Sequence, residues 1–139
     1  MEDRIKDKVL ETRKYLEELE NIKAHSLEEY KRDIKSRAAC ERYVEKIMEA
    51  VTDLVFLVIK TRKLGKPEDD QSAYELMFDD ELISKEIFEK LKDAKGMKNV
   101  ISHQYGNIDD EIVYEAISHE LCDDVESFLK QIIKNLSDK

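Results

Sequence analysis

The stretch VEKIMEAVTDLVFLVI, residues 44–59, carries apolar residues first at helical spacing and then on every side. Ser26 begins the helix with a Ser-x-x-Glu capping box, and nothing breaks the pattern before Gly65 and Pro67. The predicted helix is about 38 residues long, or roughly 57 Å at 1.5 Å per residue. Since residues 54–59 are apolar almost all round, we expect burial on more than one side. The rest of the domain and a second copy of the chain could together bury it.

Outward from this second helix, four further helices are predicted by apolar spacing and by start signals. They cover residues 3–22, 72–78, 84–106 and 109–136. Ser72 and Ser84 are expected to cap the third and fourth helices, and Gly96 within the fourth is interpreted as serving close packing. The sequence therefore predicts an all-α protein, an up-and-down bundle of about five helices in one domain, residues 1–139.

Composition agrees with a small helical core inside a charged shell: 41% of residues are hydrophobic and 41% charged, with 3 Gly and 1 Pro. The net charge of −9 argues against a general nucleic-acid coat, because phosphate binding needs clustered Lys and Arg. The charge is uneven, however. Residues 31–63 hold nine cations against five acids, so a local basic surface is compatible with the acidic total.

Cys40 and Cys122 show no metal-binding or redox spacing and are expected to be reduced and structural. The charged start at residues 1–4 is unlike a signal peptide, and the apolar run at 54–59 is too short to span a bilayer. We therefore expect a soluble cytoplasmic protein with no membrane contact. The pattern also predicts no metal site and no cofactor.

The chemistry-bearing stretch is KNVISHQYGNID, residues 98–109, at the end of the fourth predicted helix. A positive charge is favoured there by the helix dipole, and histidine both accepts and donates protons near neutral pH, so His103 is the candidate acid/base. Lys98 would stabilise charge on a phosphorane, and Asn99 would donate to phosphate or orient the histidine. Tyr105 follows just past the helix end.

Two interpretations of this stretch compete. A fixed cation, a histidine and polar donors suit metal-independent cleavage of a phosphodiester in RNA, in which the ribose 2′-hydroxyl attacks. A lone histidine at a helix end is, however, more often an ordinary surface or capping residue. Lys98 and His103 diverge on one helix, so they would meet around a shared ligand or across two copies of the chain.

The surrounding chain resembles the HepT-type HEPN ribonucleases, the toxins of HepT–MNT toxin–antitoxin pairs. Their signature is Arg, a polar residue, three more residues, His, one residue and Tyr, and here it reads KNVISHQY, residues 98–105. Three further stretches resemble the family's second helix, its short third helix and the continuation after the motif. They are YKRDIKSRAACERYVEKIMEAV (30–51), SAYELMFDDELIS (72–84) and GNIDDEIVYEAI (106–117).

This resemblance implies a homodimeric all-α bundle in which the motifs of two protomers face a shared cleft. It implies a metal-independent endoribonuclease toxin of a type VII pair, with His103 as acid/base and the cation at Lys98 binding phosphate. It also implies an MNT-type nucleotidyltransferase antitoxin that adenylylates Tyr105 and so silences the toxin. The added bulk and negative charge would obstruct the entry of RNA.

The sequence departs from the family at Lys98, where arginine is expected. Lysine keeps the charge and loses the planar fork that grips phosphate with two hydrogen bonds. Arg37, Arg42 or Arg62 could supply the fork, although each is more simply a solvated or paired helix residue. The alternative function is a catalytically weak or inactive HEPN module that binds a nucleotidyltransferase partner or a nucleotide.

Overall fold

In the computed structural model, the structure describes residues 1–103 and 108–137, and those residues form helices and connecting turns. Within these described ranges seven helices follow one another. They are α1 (Asp3–Ile22), α2 (Leu27–Arg32), α3 (Ile34–Arg62), α4 (Asp70–Asp79), α5 (Lys85–His103), α6 (Asp110–His119) and α7 (Leu121–Ser137). The all-α prediction is confirmed, but the expected number of about five helices is too low.

The long helix predicted from Ser26 is in fact two helices, α2 and α3. Ser26 does cap α2, because its side chain accepts a hydrogen bond from the backbone N–H of Glu29. The chain then becomes extended at Asp33, whose side chain accepts from the N–H groups of Lys35 and Ser36 and begins α3. An aspartate that satisfies these free N–H groups favours a new helix start over continuation.

Two other predicted boundaries are wrong for similar local reasons. Helix α4 begins earlier than predicted, since the side chain of Asp69, not that of Ser72, caps it. The last predicted helix, residues 109–136, is divided at Glu120, which leaves the helical conformation and separates α6 from α7. The predicted cap at Ser84 is correct: its hydroxyl accepts from the N–H of Ile87. Gly106 lies outside the described residues.

Helix α3 lies at the centre of the molecule, where it packs against α1, α2, α4 and α5. Four side chains of its all-round apolar stretch are fully buried or nearly so: Leu54, Val55, Val58 and Ile59. Phe56 remains 37% exposed. The prediction of burial on several sides is confirmed, and the helices of one chain supply that burial. The apolar run therefore does not itself require a second copy, and the homodimer stays a prediction.

The second layer of the fold is formed by α7, which packs against α1, α5 and α6. Its buried residues join those of α3 in one apolar cluster. The organisation of residues 1–139 as a single domain stays a prediction. The close-packing role of Gly96 is wrong within the chain, because a Cβ added there would meet no atom within 4 Å. Across 1–103 and 108–137, no helix is long and apolar enough to cross a membrane.

The central position of α3 predicts a large difference between two leucine truncations. Leu54 is fully buried on α3, whereas Leu10 on α1 is 64% exposed. Leu54→Ala is expected to lower the free energy of unfolding by about 2 to 5 kcal/mol, because it leaves a cavity in the core. Leu10→Ala, the matched control, should change it by less than about 0.5 kcal/mol. Urea unfolding followed by circular dichroism measures both, and equal losses would contradict this account of α3.

Candidate active site

Helix α5 carries three of the four predicted site residues in its last two turns. Lys98 is partly buried, while Asn99 and His103 are exposed. Asn99 and His103 are four residues apart and share one face of the helix. Lys98 and His103 are separated by about 7.5 Å along the axis and about 140° around it. One helix therefore presents the amide and the imidazole together, with the ammonium group to the side. Tyr105 lies outside the described residues.

The end of α5 is attached to α3 by a polar contact beside the histidine. The Ser102 hydroxyl donates a 2.7 Å hydrogen bond to Oε2 of Glu45. Ile101 is buried in the core at the same turn. These two neighbours hold one side of the last turn against α3, which leaves His103 directed to solvent. Hydrogen bonds to charged acceptors are stronger than neutral ones, so this contact fixes the orientation of the turn.

A stripe of charged residues continues from Glu45 along α3 toward its start. Arg37, Glu41 and Glu45 are spaced by four residues and so share one face. Arg37 donates to the carbonyl of Lys31, and its Nε lies 3.8 Å from Oδ2 of Asp110 at the start of α6. The stripe thus contacts α5 and α6, on either side of the segment that contains Tyr105.

Glu41, the middle residue of this stripe, lies where its charged form is disfavoured. Burial raises the pKa of the Glu41 carboxyl above its usual value, with further contributions from Asp110 and Glu45 that outweigh the attraction of Arg37. The nearby Tyr30 hydroxyl is buried and, within the described part of the chain, accepts or donates no hydrogen bond. The α3 face beside the candidate site is therefore polar and partly buried, and a buried hydroxyl of α2 near Glu41 has no hydrogen-bond partner in the described ranges.

Lys98 differs from its neighbours on α5 in its charge environment. Lys90 pairs with Asp124, Lys92 with Glu89 and Lys95 with Asp70. Among residues 1–103 and 108–137, no carboxylate lies within 4 Å of the Lys98 ammonium group. A cation without a carboxylate partner is free to bind an external anion, so Lys98 is the cation best suited to phosphate beside His103.

The three arginines considered as substitutes for Lys98 are all paired. Arg37 contacts Asp110, and Nη1 of Arg42 lies 3.9 Å from a carboxylate oxygen of Glu49. The Arg62 guanidinium donates a 3.0 Å hydrogen bond to Asp80 at the far end of α3. The interpretation of these side chains as paired helix residues is confirmed. None of the three contacts the last turn of α5.

Chemically, the last turns of one helix carry an exposed imidazole, an amide and an ammonium group that has no carboxylate partner within residues 1–103 and 108–137. No group of three or more His, Cys, Asp or Glu in the described ranges is positioned to hold a metal ion. Both cysteines are free, and burial raises the pKa of each thiol, for Cys122 to about 12. They are therefore poor nucleophiles at neutral pH.

The raised pKa of Glu41 predicts a pH-dependent effect on stability. Because the folded state favours the protonated carboxyl, the contribution of Glu41 to stability is largest in acid and falls as pH rises from the ordinary pKa of a glutamate through the raised one. Glu41→Gln removes this loss, so its stability relative to wild type should increase between about pH 4 and about pH 7. Glu17→Gln, at an exposed position on α1, controls for the loss of one charge. If stability depends on pH in the same way in both variants, the raised pKa of Glu41 is contradicted.

Comparison with known proteins shows to which family the chain is related. The family model described as Ribonuclease HepT-like matches residues 12–132. The mRNA nuclease HepT of Shewanella oneidensis is 22% identical over 132 residues, which cover 95% of this chain and 98% of that protein. The tRNA nuclease HepT of Aphanizomenon flos-aquae is 25% identical over 118 residues, which cover 81% and 80%.

Solved structures agree with the fold. The chain superposes with a TM-score of 0.88 on the tri-AMPylated Shewanella oneidensis HEPN toxin in complex with MNT antitoxin. The sequence identity is 21%, over 96% of this chain and 99% of that one. At that identity the likeness establishes the architecture, and the match of the family model over most of the chain establishes the relationship. The chain therefore belongs to the Ribonuclease HepT-like family.

Proposed function

We propose that this protein is a metal-independent endoribonuclease toxin of a type VII HepT–MNT toxin–antitoxin pair, acting in the cytoplasm as a homodimer. The observation that carries the proposal is the arrangement at the end of α5. An exposed His103 shares a face with Asn99, and the nearby Lys98 has no carboxylate partner in the described ranges. Family membership and relatives named as mRNA and tRNA nucleases support RNA as the substrate.

Cleavage would need no group from outside the chain and the RNA. The ribose 2′-oxygen attacks the adjacent phosphorus and loses its proton, the bond to the 5′-oxygen breaks, and that oxygen gains a proton. His103 serves as acid/base for one of these transfers, and its counterpart in the second protomer is available for the other. Lys98 stabilises the charge that develops on the phosphorane, and Asn99 donates to a phosphate oxygen.

The dimer in this proposal is supported by the geometry of α5. Lys98 and His103 diverge by about 140° on one helix, so a single phosphate is poorly placed between the two side chains of one chain. Two copies of the helix facing each other would bring Lys98 of one protomer toward His103 of the other. The resemblance to dimeric HEPN toxins supports the same arrangement.

The partner in this proposal is an MNT-type nucleotidyltransferase that adenylylates Tyr105. Its support is the position of Tyr105 in the motif, two residues after His103, and the likeness to a tri-AMPylated toxin solved with its MNT antitoxin. An adenylyl group there would add bulk and negative charge beside the histidine. Both effects oppose the approach of an RNA backbone.

A second candidate function is favoured by Lys98 itself. If the lysine cannot replace the bidentate fork of an arginine, the chain would be a weak or inactive HEPN module that binds the nucleotidyltransferase or a nucleotide. The two functions differ in what a restored arginine does, because only a weakened nuclease gains activity from it.

The cleavage proposal predicts that substituting His103 lowers RNA cleavage strongly and that substituting His119 leaves it unchanged. His103→Ala should reduce RNA cleavage by about 10² to 10⁴-fold, as expected for loss of an acid/base group. His119→Ala is the matched control, since His119 is also exposed in the last turn of a helix, α6, away from the site. The assay uses purified wild-type and variant protein, total RNA and excess EDTA. Background cleavage by wild type, equal to that of His103→Ala, would contradict the proposal.

Lys98 is tested in the same assay by two substitutions. Lys98→Ala should lower cleavage, and Lys98→Arg should raise it, because the fork supplies a second hydrogen bond to phosphate. An unchanged rate in Lys98→Arg, together with tight binding of the nucleotidyltransferase, would favour the interaction module instead.

The modification proposal predicts that Tyr105 is the acceptor of the adenylyl group. Wild type incubated with ATP and the nucleotidyltransferase expected from the neighbouring gene should gain adenylyl mass and lose nuclease activity. Tyr105→Phe should gain no adenylyl mass and should keep its nuclease activity. Tyr43→Phe, on α3, should be modified and silenced like wild type. Intact-mass spectrometry provides the measurement, and adenylylation of Tyr105→Phe would show that another residue is the target.

A further inference from the structure

A groove of about 550 Å³ lies between α5, α6 and the start of α7, and none of the candidate catalytic residues lines it. Its floor is apolar, and Ile112 on α6, which contributes to that floor, is 63% exposed. A large aliphatic side chain exposed beside an open apolar groove is a typical feature of an interaction surface. The floor is formed by Ala94, Met97, Ile112, Ala116 and Leu121.

The rim of the groove is strongly acidic. Lys90 is the one cation among the described residues that line it, and Lys90 pairs with Asp124 at 3.3 Å. Asp109 is engaged in capping α6. The remaining carboxylates have no ion-pair partner within residues 1–103 and 108–137: Asp93, Glu111, Glu115 and Glu120. The apolar residues are thus bordered by four carboxylates without an ion-pair partner in the described ranges, although Glu120 lies close enough to Lys90 to be attracted by it.

We propose that this acidic groove is the docking surface for a basic amphipathic helix of a protein partner, the nucleotidyltransferase of the proposed pair. An apolar stripe on such a helix would cover Met97 and Ile112, and flanking lysines or arginines would meet the free carboxylates. RNA is disfavoured as the occupant because its phosphates would be repelled by the rim. A second copy seated groove to groove is also disfavoured, since the acidic rim of one copy would then face the acidic rim of the other.

The position of the groove explains why this partner would dock there. Met97, which lines the groove, comes directly before the Lys98–His103 site in sequence. Asp109, which also lines it, comes after the segment that contains Tyr105. A partner seated in the groove would contact Met97 and Asp109, and none of Lys98, Asn99 and His103 lines the groove. The identity of the partner rests on the proposed function, while the chemistry of the groove does not.

The test uses two synthetic helical peptides that share one leucine stripe, one flanked by lysines and one by glutamates. Fluorescence anisotropy with the full chain should show binding of the lysine peptide and none of the glutamate peptide. The double variant Asp93→Asn with Glu115→Gln should weaken binding roughly tenfold. Ile112→Ser should weaken it through the floor, and its exposed position spares folding. The control, Glu17→Gln with Glu68→Gln, removes two charges elsewhere and should bind like wild type.

RNA cleavage and oligomeric state are measured on the same proteins. Weaker peptide binding with unchanged cleavage supports a docking surface separate from the nuclease site. Equal binding of both peptides, equal weakening by the control variant, or competition by RNA overturns the proposal. Conversion of a dimer to a monomer by the groove variants also overturns it, because a second copy would then be the occupant. If wild type cleaves no RNA, the proposed function fails, and the peptide measurement still decides the chemistry of the groove.

Discussion

Helix α3 is buried between α1, α2, α4 and α5, and the remaining structure depends on that burial. A helix with apolar residues on nearly every side leaves little freedom in how its neighbours are arranged, because each must cover part of it. The polar stripe near its start, Arg37, Glu41 and Glu45, is the place where α5 and α6 approach with polar side chains. The end of α5 is therefore positioned by buried Ile101 together with this polar stripe.

Charge separates two surfaces near this end of the molecule. On one face of α5, Asn99 and His103 are exposed and Lys98 is unpaired within the described ranges, which favours an anionic ligand. On the side lined by Asp93 and Met97, carboxylates surround an apolar groove. This second surface favours a positively charged ligand. A protein with a net charge of −9 can in this way present a local site for phosphate and a separate surface for a basic partner.

Much of this could be predicted from the sequence, because the signals are local. Apolar periodicity predicts α1 and α5, and the spacing of Lys98, Asn99 and His103 together with the surrounding resemblance identifies the candidate site. The breaks at Asp33 and Glu120 were not predicted, since neither involves glycine or proline and an aspartate within a helix looks the same in sequence as one that caps the next. Capping by Asp69 was missed because Ser72 offers an equally good local signal.

Contacts between distant residues could not be predicted in this way. Glu45 and Ser102 are 57 residues apart, and only the packing of α5 on α3 brings them together. Arg37 and Asp110 likewise meet through the tertiary fold, as does the acidic groove. The spacing of charged residues by four along α3 was visible in the sequence, but it is equally typical of a solvated face. The partial burial of Glu41 distinguishes a packed face from a solvated one, and only the structure reveals it.

The central claim, that the catalytic groups of two protomers combine at the ends of their α5 helices, is tested most directly by complementation. Lys98→Ala and His103→Ala proteins are each purified, then unfolded and refolded together so that mixed dimers form. In a mixed dimer, Lys98 of one protomer faces His103 of the other, while no single protomer holds both. The account predicts that the mixture cleaves RNA faster than either homodimer alone and more slowly than wild type, because its one composite site holds Lys98 and a single His103. A mixture as inactive as its components, alongside active wild type refolded in the same way, would contradict it.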